Sequence, residues 1–215
     1  MTNSSKPKRP YNATRRQAQA YQTRLQIAEA ARQLFSRCGY AGATMEAIAQ
    51  QAGIPLTTVY STFVSKRNIL SYLLDTSIAG DDAPTPMLER PDAQAILQET
   101  DPRQQLRLVA HGIVAVTARV APMFEIMRIA AKTEPEIADL LQQMLQQRWQ
   151  NMTIIIEHVA SNAPLREGIT TTQATDIVWT LMSAEVFQLL TGGRGWSKEQ
   201  YSEWLADTLI RLLLP

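Results

Sequence analysis

The sequence predicts an all-α fold, a compact N-terminal group of three short helices followed by a larger helical unit. Three observations carry this. Apolar residues recur at three- and four-residue steps through most of the chain, and no segment sustains period-two alternation or a hairpin turn. The stretch from Thr44 to Lys66, TMEAIAQQAGIPLTTVYSTFVSK, reads as a helix, a tight turn at Gly53 and a second short helix ending at Phe63. Charge is also divided: residues 1–70 hold ten Lys/Arg and two acids (+8), the remaining 145 hold eleven and eighteen (−7), and the whole chain is only +1.

The elements follow in order. Residues 1–16 are polar and basic (Arg9, Arg15 and Arg16 among them) and read as a flexible arm. From Gln17 the pattern is helical, with Leu25, Ala28, Ala31, Leu34 and Phe35 on one face and Gly39 as its stop. Cys38, beside Phe35, reads as a small core residue. Thr44 is placed to cap the next helix and Ser65 the one after the motif. Residues 80–102 are rich in Pro, Asp and Gly and read as a loop with one helical turn. A helical face runs from Leu106 to Val120, ended by Pro122, and a short helix follows to Ala131. A long helix is expected over Pro135–Ser161 and two more over 172–191 and 197–214. The expected domains are the arm 1–16, a first helical unit 17–76 that holds the Thr44–Lys66 motif, and a second helical unit 77–215.

Composition excludes several classes. Hydrophobic residues are 45% of 215, a globular value. No apolar run approaches the roughly 20 residues that span a bilayer, and no apolar segment follows the basic N-terminus as in a secretory signal. One cysteine cannot form an internal disulfide, which fits a cytoplasmic protein. There is no metal-ligand cluster, Gly-rich phosphate loop or nucleophile motif, and His111 and His158 have no evident partner, so neither catalysis nor a cofactor is expected.

The motif itself has the chemistry of a helix-turn-helix, which lays its second helix in the DNA major groove. Ala49 lets the two helices approach, and Gly53 supplies the left-handed turn residue. Pro55 sits where a missing N–H costs nothing. Ile48, Ile54, Val59 and Phe63 should face inward. Leu56, Thr57, Thr58, Ser61 and Thr62 are left for the groove, offering hydroxyls and methyls but no bidentate base reader. Lys66 and Arg67, in the first turn of the next helix, would form an anion site with the free N–H groups there. Tyr60 can pack its ring and offer its hydroxyl to a phosphate. Double-stranded DNA is the expected partner, and the charge division is what such a unit joined to a non-binding one shows.

From Ile27 to Leu74 the chain resembles the N-terminal domain of TetR-family transcriptional regulators. The resemblance is carried by Ile27, Ala30, Ala31, Leu34, Phe35, Gly39, Tyr40, Thr44, Met45, Ile48, Ala49, Ala52, Gly53, Ile54, Thr58, Val59, Tyr60, Phe63, Ser65, Lys66 and Leu70. It implies an all-α homodimer on a palindromic operator. Thr44, Tyr60 and Lys66 match positions that touch phosphate in the family, and Pro55–Thr62 matches its recognition helix. Thr62 departs from the pattern, which often places His or Tyr before the Phe.

Beyond Leu74 the resemblance is architectural. It implies a small-molecule pocket in the second unit and a dimer bundle from the last two helices, about 172–191 and 197–214. Their apolar content exceeds one buried stripe, so part of it should face a partner. Candidate pocket residues are His111, Met123, Phe124, Met127, Arg128, Met144, Arg148, Trp149, Met152 and Trp179, a set that suits a broad apolar pocket with few polar groups. His111 and Arg128 are expected to orient an acidic ligand. His158 is expected to be solvated. The function this supports is a repressor released by a small ligand. A regulator answering to a protein partner, or to no small molecule, is the alternative, and a helical carrier or enzyme with a DNA-binding-like appendage is the remoter one.

Overall fold

The computed structural model describes residues 13–81, 83 and 85–215, and Arg9 lies outside them. Among the described residues there are helices and no strand. Helix α1 covers Ala13–Gly42, α2 Met45–Ala52, α3 Leu56–Phe63 and α4 Lys66–Ala79. A single 3-10 turn at Met87–Glu89 precedes α5, Pro91–Gln98. Then come α6, Pro102–Ala130, α7, Pro135–Asn162, α8, Thr171–Leu181, α9, Ala184–Gln188, a π turn at Leu189–Gly193, and α10, Lys198–Leu213.

Local chemistry explains most boundaries. Gly39, at φ 70° and ψ 177°, breaks α1 where the sequence placed its stop. Thr44 accepts from the Ala47 N–H at 3.1 Å and Ser65 from Asn68 at 3.2 Å, caps worth about 1 kcal/mol each. Gly53 takes the left-handed conformation after α2. The helix α1 begins at Ala13, so Arg15 and Arg16 are exposed helical residues rather than part of an arm.

Three expectations are corrected by tertiary packing. Pro122 does not end a helix: α6 runs through it, with the proline exposed while Val120, Ala121 and Met123 beside it are buried. That burial offsets the roughly 3 kcal/mol cost of a proline in a helix interior. The expected 172–191 helix is divided, because Ser183 caps a new helix through the Val186 N–H. The 80–102 segment holds the two-turn α5, opened by Pro91 at its first position and fixed by Gln105, which donates to the Ile96 carbonyl at 2.8 Å.

Two cores form. The first joins α1–α4 to Val120–Ala130 of α6 and to Ile137 and Leu140 of α7. The second joins Leu106–Val114 of α6 to the C-terminal half of α7 and to α8–α10. Helices α6 and α7 therefore belong to both, and they carry the connection between the halves. A further strut is Arg119 of α6, which donates to the Ser77 and Ile78 carbonyls at the end of α4. No helix among the described residues is long and apolar enough to cross a membrane.

Candidate nucleic-acid interface and groove

Helix α3 is held by its inner face. Val59 and Phe63 are buried, Ile54 and Leu56 pack against the same core, and α2 contributes Ile48, Ala49 and Ala52. Arg24 of α1 locks the far end, its guanidinium 5.1 Å from the Phe63 ring centroid and 5.2 Å from that of Tyr72. Gln26 donates to the Ala52 carbonyl at 2.7 Å, closing the end of α2. Neither Arg24 nor Gln26 was singled out in the sequence, since both roles depend on α1 crossing the motif.

The outer face holds the expected residues except Leu56, which is half-buried and packs on the first core. Thr57, Tyr60 and Ser61 are exposed, as are Thr44 and Pro55, while Thr58 and Thr62 are half-buried. The Ser61 and Thr62 hydroxyls donate to the Thr58 carbonyl at 3.0 and 2.8 Å. Their protons are therefore engaged, which leaves the oxygens as acceptors. Val64 ends the helix at φ 57° and ψ −47°, the centre of a tight γ-type turn closed by Ser65 N–H to the Phe63 carbonyl.

Lys66 is not loose in solvent. Its Nζ donates to the Tyr40 carbonyl at 2.8 Å and lies 4.1 Å from the centroid of the Tyr40 ring. Burial lowers its pKa, partly countered by Glu134 and Glu136. One of three ammonium protons is used, leaving two.

In the second half the expected pocket residues separate. Met123 and Met127 are buried in the first core, with Phe124 and Met144 packed on it, and Met152 is buried in the second. They fill space rather than line a cavity. His111 is exposed, its Nδ1 2.7 Å from the Ser202 hydroxyl of α10. Arg128 is exposed and paired with Glu125 through two contacts of 3.0 and 3.1 Å. Seventeen residues of one helix put these two about 25 Å apart, so they cannot share a ligand group. His158 is half-buried and bonded to Gln105 at 2.9 Å rather than solvated. Cys38 is exposed, not a core residue, with its thiol on the Leu34 carbonyl.

A groove does gather Arg128, Trp149 and Trp179. It is open, about 650 Å³, and runs between the end of α6, the outer face of α7 and α8. Leu141 and Leu145 form its floor with the two tryptophans, and Lys132 and Asp176 stand at its edge. The Trp149 indole donates to Asp176 at 2.9 Å, whereas the buried Trp179 Nε1 has no hydrogen-bond partner among the described residues. Arg148 lies behind, donating to the Trp179 carbonyl at 2.6 Å. Lys132 and Asp176 gave no sequence signal, because they meet Trp149 and Trp179 only through the α6–α7–α8 packing.

A capped two-helix motif on an all-α scaffold, with an exposed second helix, defines a helix-turn-helix protein. Residues 27–73 match the family model described as bacterial regulatory proteins, tetR family. Solved structures agree over nearly the whole chain. NalD, the secondary repressor of the MexAB-OprM multidrug efflux pump in Pseudomonas aeruginosa, superposes with a TM-score of 0.69 at 19% identity, covering 91% of this chain and 98% of that one. FadR from Bacillus subtilis, in complex with stearoyl-CoA, gives 0.67 at 18%, covering 86% and 97%. The SmeT–triclosan complex gives 0.65 at 17%, covering 90% and 92%. At such identities the likeness is one of fold. No curated protein matches in sequence. The family model thus covers the helix-turn-helix unit, and the solved structures show that the whole chain has the fold of these regulators.

Proposed function

We propose that this chain is a TetR-family DNA-binding transcriptional regulator, a homodimeric repressor held on a palindromic operator and released by a small, largely apolar ligand. The observation that carries the DNA part is the division of α3, with Val59 and Phe63 locked in the core while Thr57, Tyr60 and Ser61 face solvent. Thr44, Tyr60 and Lys66 would hold phosphates, and Arg15 and Arg16 of α1 would add charge beside the duplex. Thr57, Thr58, Ser61 and Thr62 would meet base edges with Pro55 at the helix entry. With their protons spent on Thr58, Ser61 and Thr62 would accept from the amino groups of cytosine or adenine. Such a protein works beside the chromosome, in the cytoplasm.

The dimer reading rests on α8–α10. Leu189 is 66% exposed and Leu212 38%, and Ile177, Leu181, Val186, Leu190 and Trp204 are only partly covered by their own chain. A second copy would bury that surface and set two α3 helices one DNA turn, roughly 34–36 Å, apart. The ligand reading rests on the groove around Trp149 and Trp179. FadR and SmeT, of the same fold, hold stearoyl-CoA and triclosan, which supports an apolar occupant. Release needs only that the ligand bind the off-DNA state more tightly.

The test is fluorescence anisotropy on a duplex selected by the protein from a random pool. Affinity should fall steeply with salt, and triclosan or a long-chain acyl-CoA should lower it. A protein without salt-sensitive duplex binding is not this regulator. Intact DNA binding with no response to either compound favours the second reading, a protein partner seated in the groove, which its open form admits.

A further inference from the structure

The corner between α6 and α7 makes contacts that neither core requires. Glu136, exposed in the first turn of α7, accepts on Oε1 from the Tyr40 hydroxyl at 3.1 Å. Its backbone carbonyl accepts from Arg67 Nε at 3.2 Å. Tyr40 is the residue that seats Lys66, by carbonyl and by ring. A chain of three contacts therefore runs from the second half of the molecule to the first turn of α4. Tyr40 follows the break at Gly39 and is buried in the first core against the Phe35 ring, so the Glu136 contact bears on its hydroxyl end.

A lysine has a long, freely rotating stem, and fixing it at a phosphate costs rotamer freedom. A seat made before DNA arrives removes part of that cost from binding. We propose that Glu136 is a positioning residue for DNA binding: it anchors Tyr40, and Tyr40 presents the Lys66 ammonium to a backbone phosphate. The proposal rests on the reading of Lys66 as a phosphate contact.

Simple electrostatics predicts the opposite outcome. Glu136 is an acid near the DNA-binding face, and removing an acid ordinarily strengthens attraction to DNA. Positioning predicts that Glu136→Ala weakens binding, and that Glu136→Gln, which keeps an acceptor oxygen for Tyr40, does not.

The experiment uses the full chain and its selected duplex, with anisotropy measured across a salt series. Glu136→Ala and Tyr40→Phe should each weaken binding about three- to tenfold and lower the salt slope by about one per protomer, as Lys66→Gln should. Glu136→Gln should bind as the parent or tighter. Glu136→Ala combined with Lys66→Gln should be no weaker than Lys66→Gln alone. Melting curves accompany each variant. If Glu136→Ala melts early, Tyr40→Phe tests the same bond from its other end. Tight binding by both Glu136→Ala and Tyr40→Phe, or losses that add to that of Lys66→Gln, overturns the proposal. A Lys66→Gln protein with unchanged affinity and slope removes the phosphate reading instead, and the proposal with it.

Discussion

Arg148 of α7 donates a 2.6 Å hydrogen bond to the Trp179 carbonyl of α8 and lays its guanidinium 5.3 Å from the centroid of the same residue's ring. Burial lowers its pKa, with Glu185 and Tyr201 pulling the other way. It forms no ion pair among the described residues. A desolvated cation with five donors and one carbonyl is a costly way to join two helices. Arg148→Met keeps the stem and drops the charge, so it should lie within about 1 kcal/mol of the parent or above it. Arg148→Ala also removes the stem and should cost about 2 kcal/mol. Urea unfolding measures both. A methionine variant that loses as much stability as the alanine one would mean the guanidinium itself holds α7 to α8.

Alkaline pH should loosen the second core. Tyr201 is 1% exposed and donates to the Leu181 carbonyl at 2.8 Å. Burial pushes its pKa up to about 12, although Arg148 lowers it. The unfolded value is about 10. A folded pKa above the unfolded one gives stability that is whole below about pH 10 and is lost as pH rises toward 12. Tyr40, raised by burial and by Glu136, acts in the same direction. Melting temperature should therefore fall as pH passes about 10. Tyr201→Phe should start about 1 kcal/mol lower, from the lost hydrogen bond, and decline less steeply. Melts in a pH series, with tyrosinate absorbance, check both parts.

What could be read from the chain was chemistry that acts within a few residues. Gly39, Thr44, Gly53 and Ser65 do as their side chains dictate, because a cap or a left-handed turn is decided locally. The inward set Ile48, Val59 and Phe63 followed from the same spacing. Pro122 and Ser183 show where this ends. One is overridden by buried neighbours and the other restarts a helix inside an apolar run that otherwise reads as continuous. The groove shows it more fully. Met123, Met127 and Trp149 look alike as large apolar residues on helices, yet the first two fill a core and the third lines a groove. That difference depends on how α6 and α7 cross, which no spacing within either helix records.

Val64 carries a backbone conformation that suits glycine. Its φ of 57° is unfavourable for a β-branched residue, and its side chain is 71% exposed, so little burial is given up by removing it. Val64→Gly should raise stability by about 1 kcal/mol, the relief of strain exceeding the greater freedom of glycine in the unfolded chain. Chemical denaturation checks the sign. A destabilised glycine variant would mean the turn is held rigid by valine at no net cost.

The groove can be closed without touching the DNA-binding half. Leu145 lies on its floor beside Leu141, Trp149 and Trp179, and its side chain is half-buried. An arginine there would put a long charged stem across the apolar surface. In the parent, triclosan should raise the melting temperature, since a ligand of the folded state stabilises it. It should also change tryptophan fluorescence, because two of the four tryptophans line the groove. Leu145→Arg should abolish both effects while operator affinity stays within about twofold, as distant sites act independently. Equal triclosan responses in parent and variant would place the ligand outside this groove. A loss of operator affinity in the variant without any ligand would instead show that the groove and α3 are coupled even when it is empty.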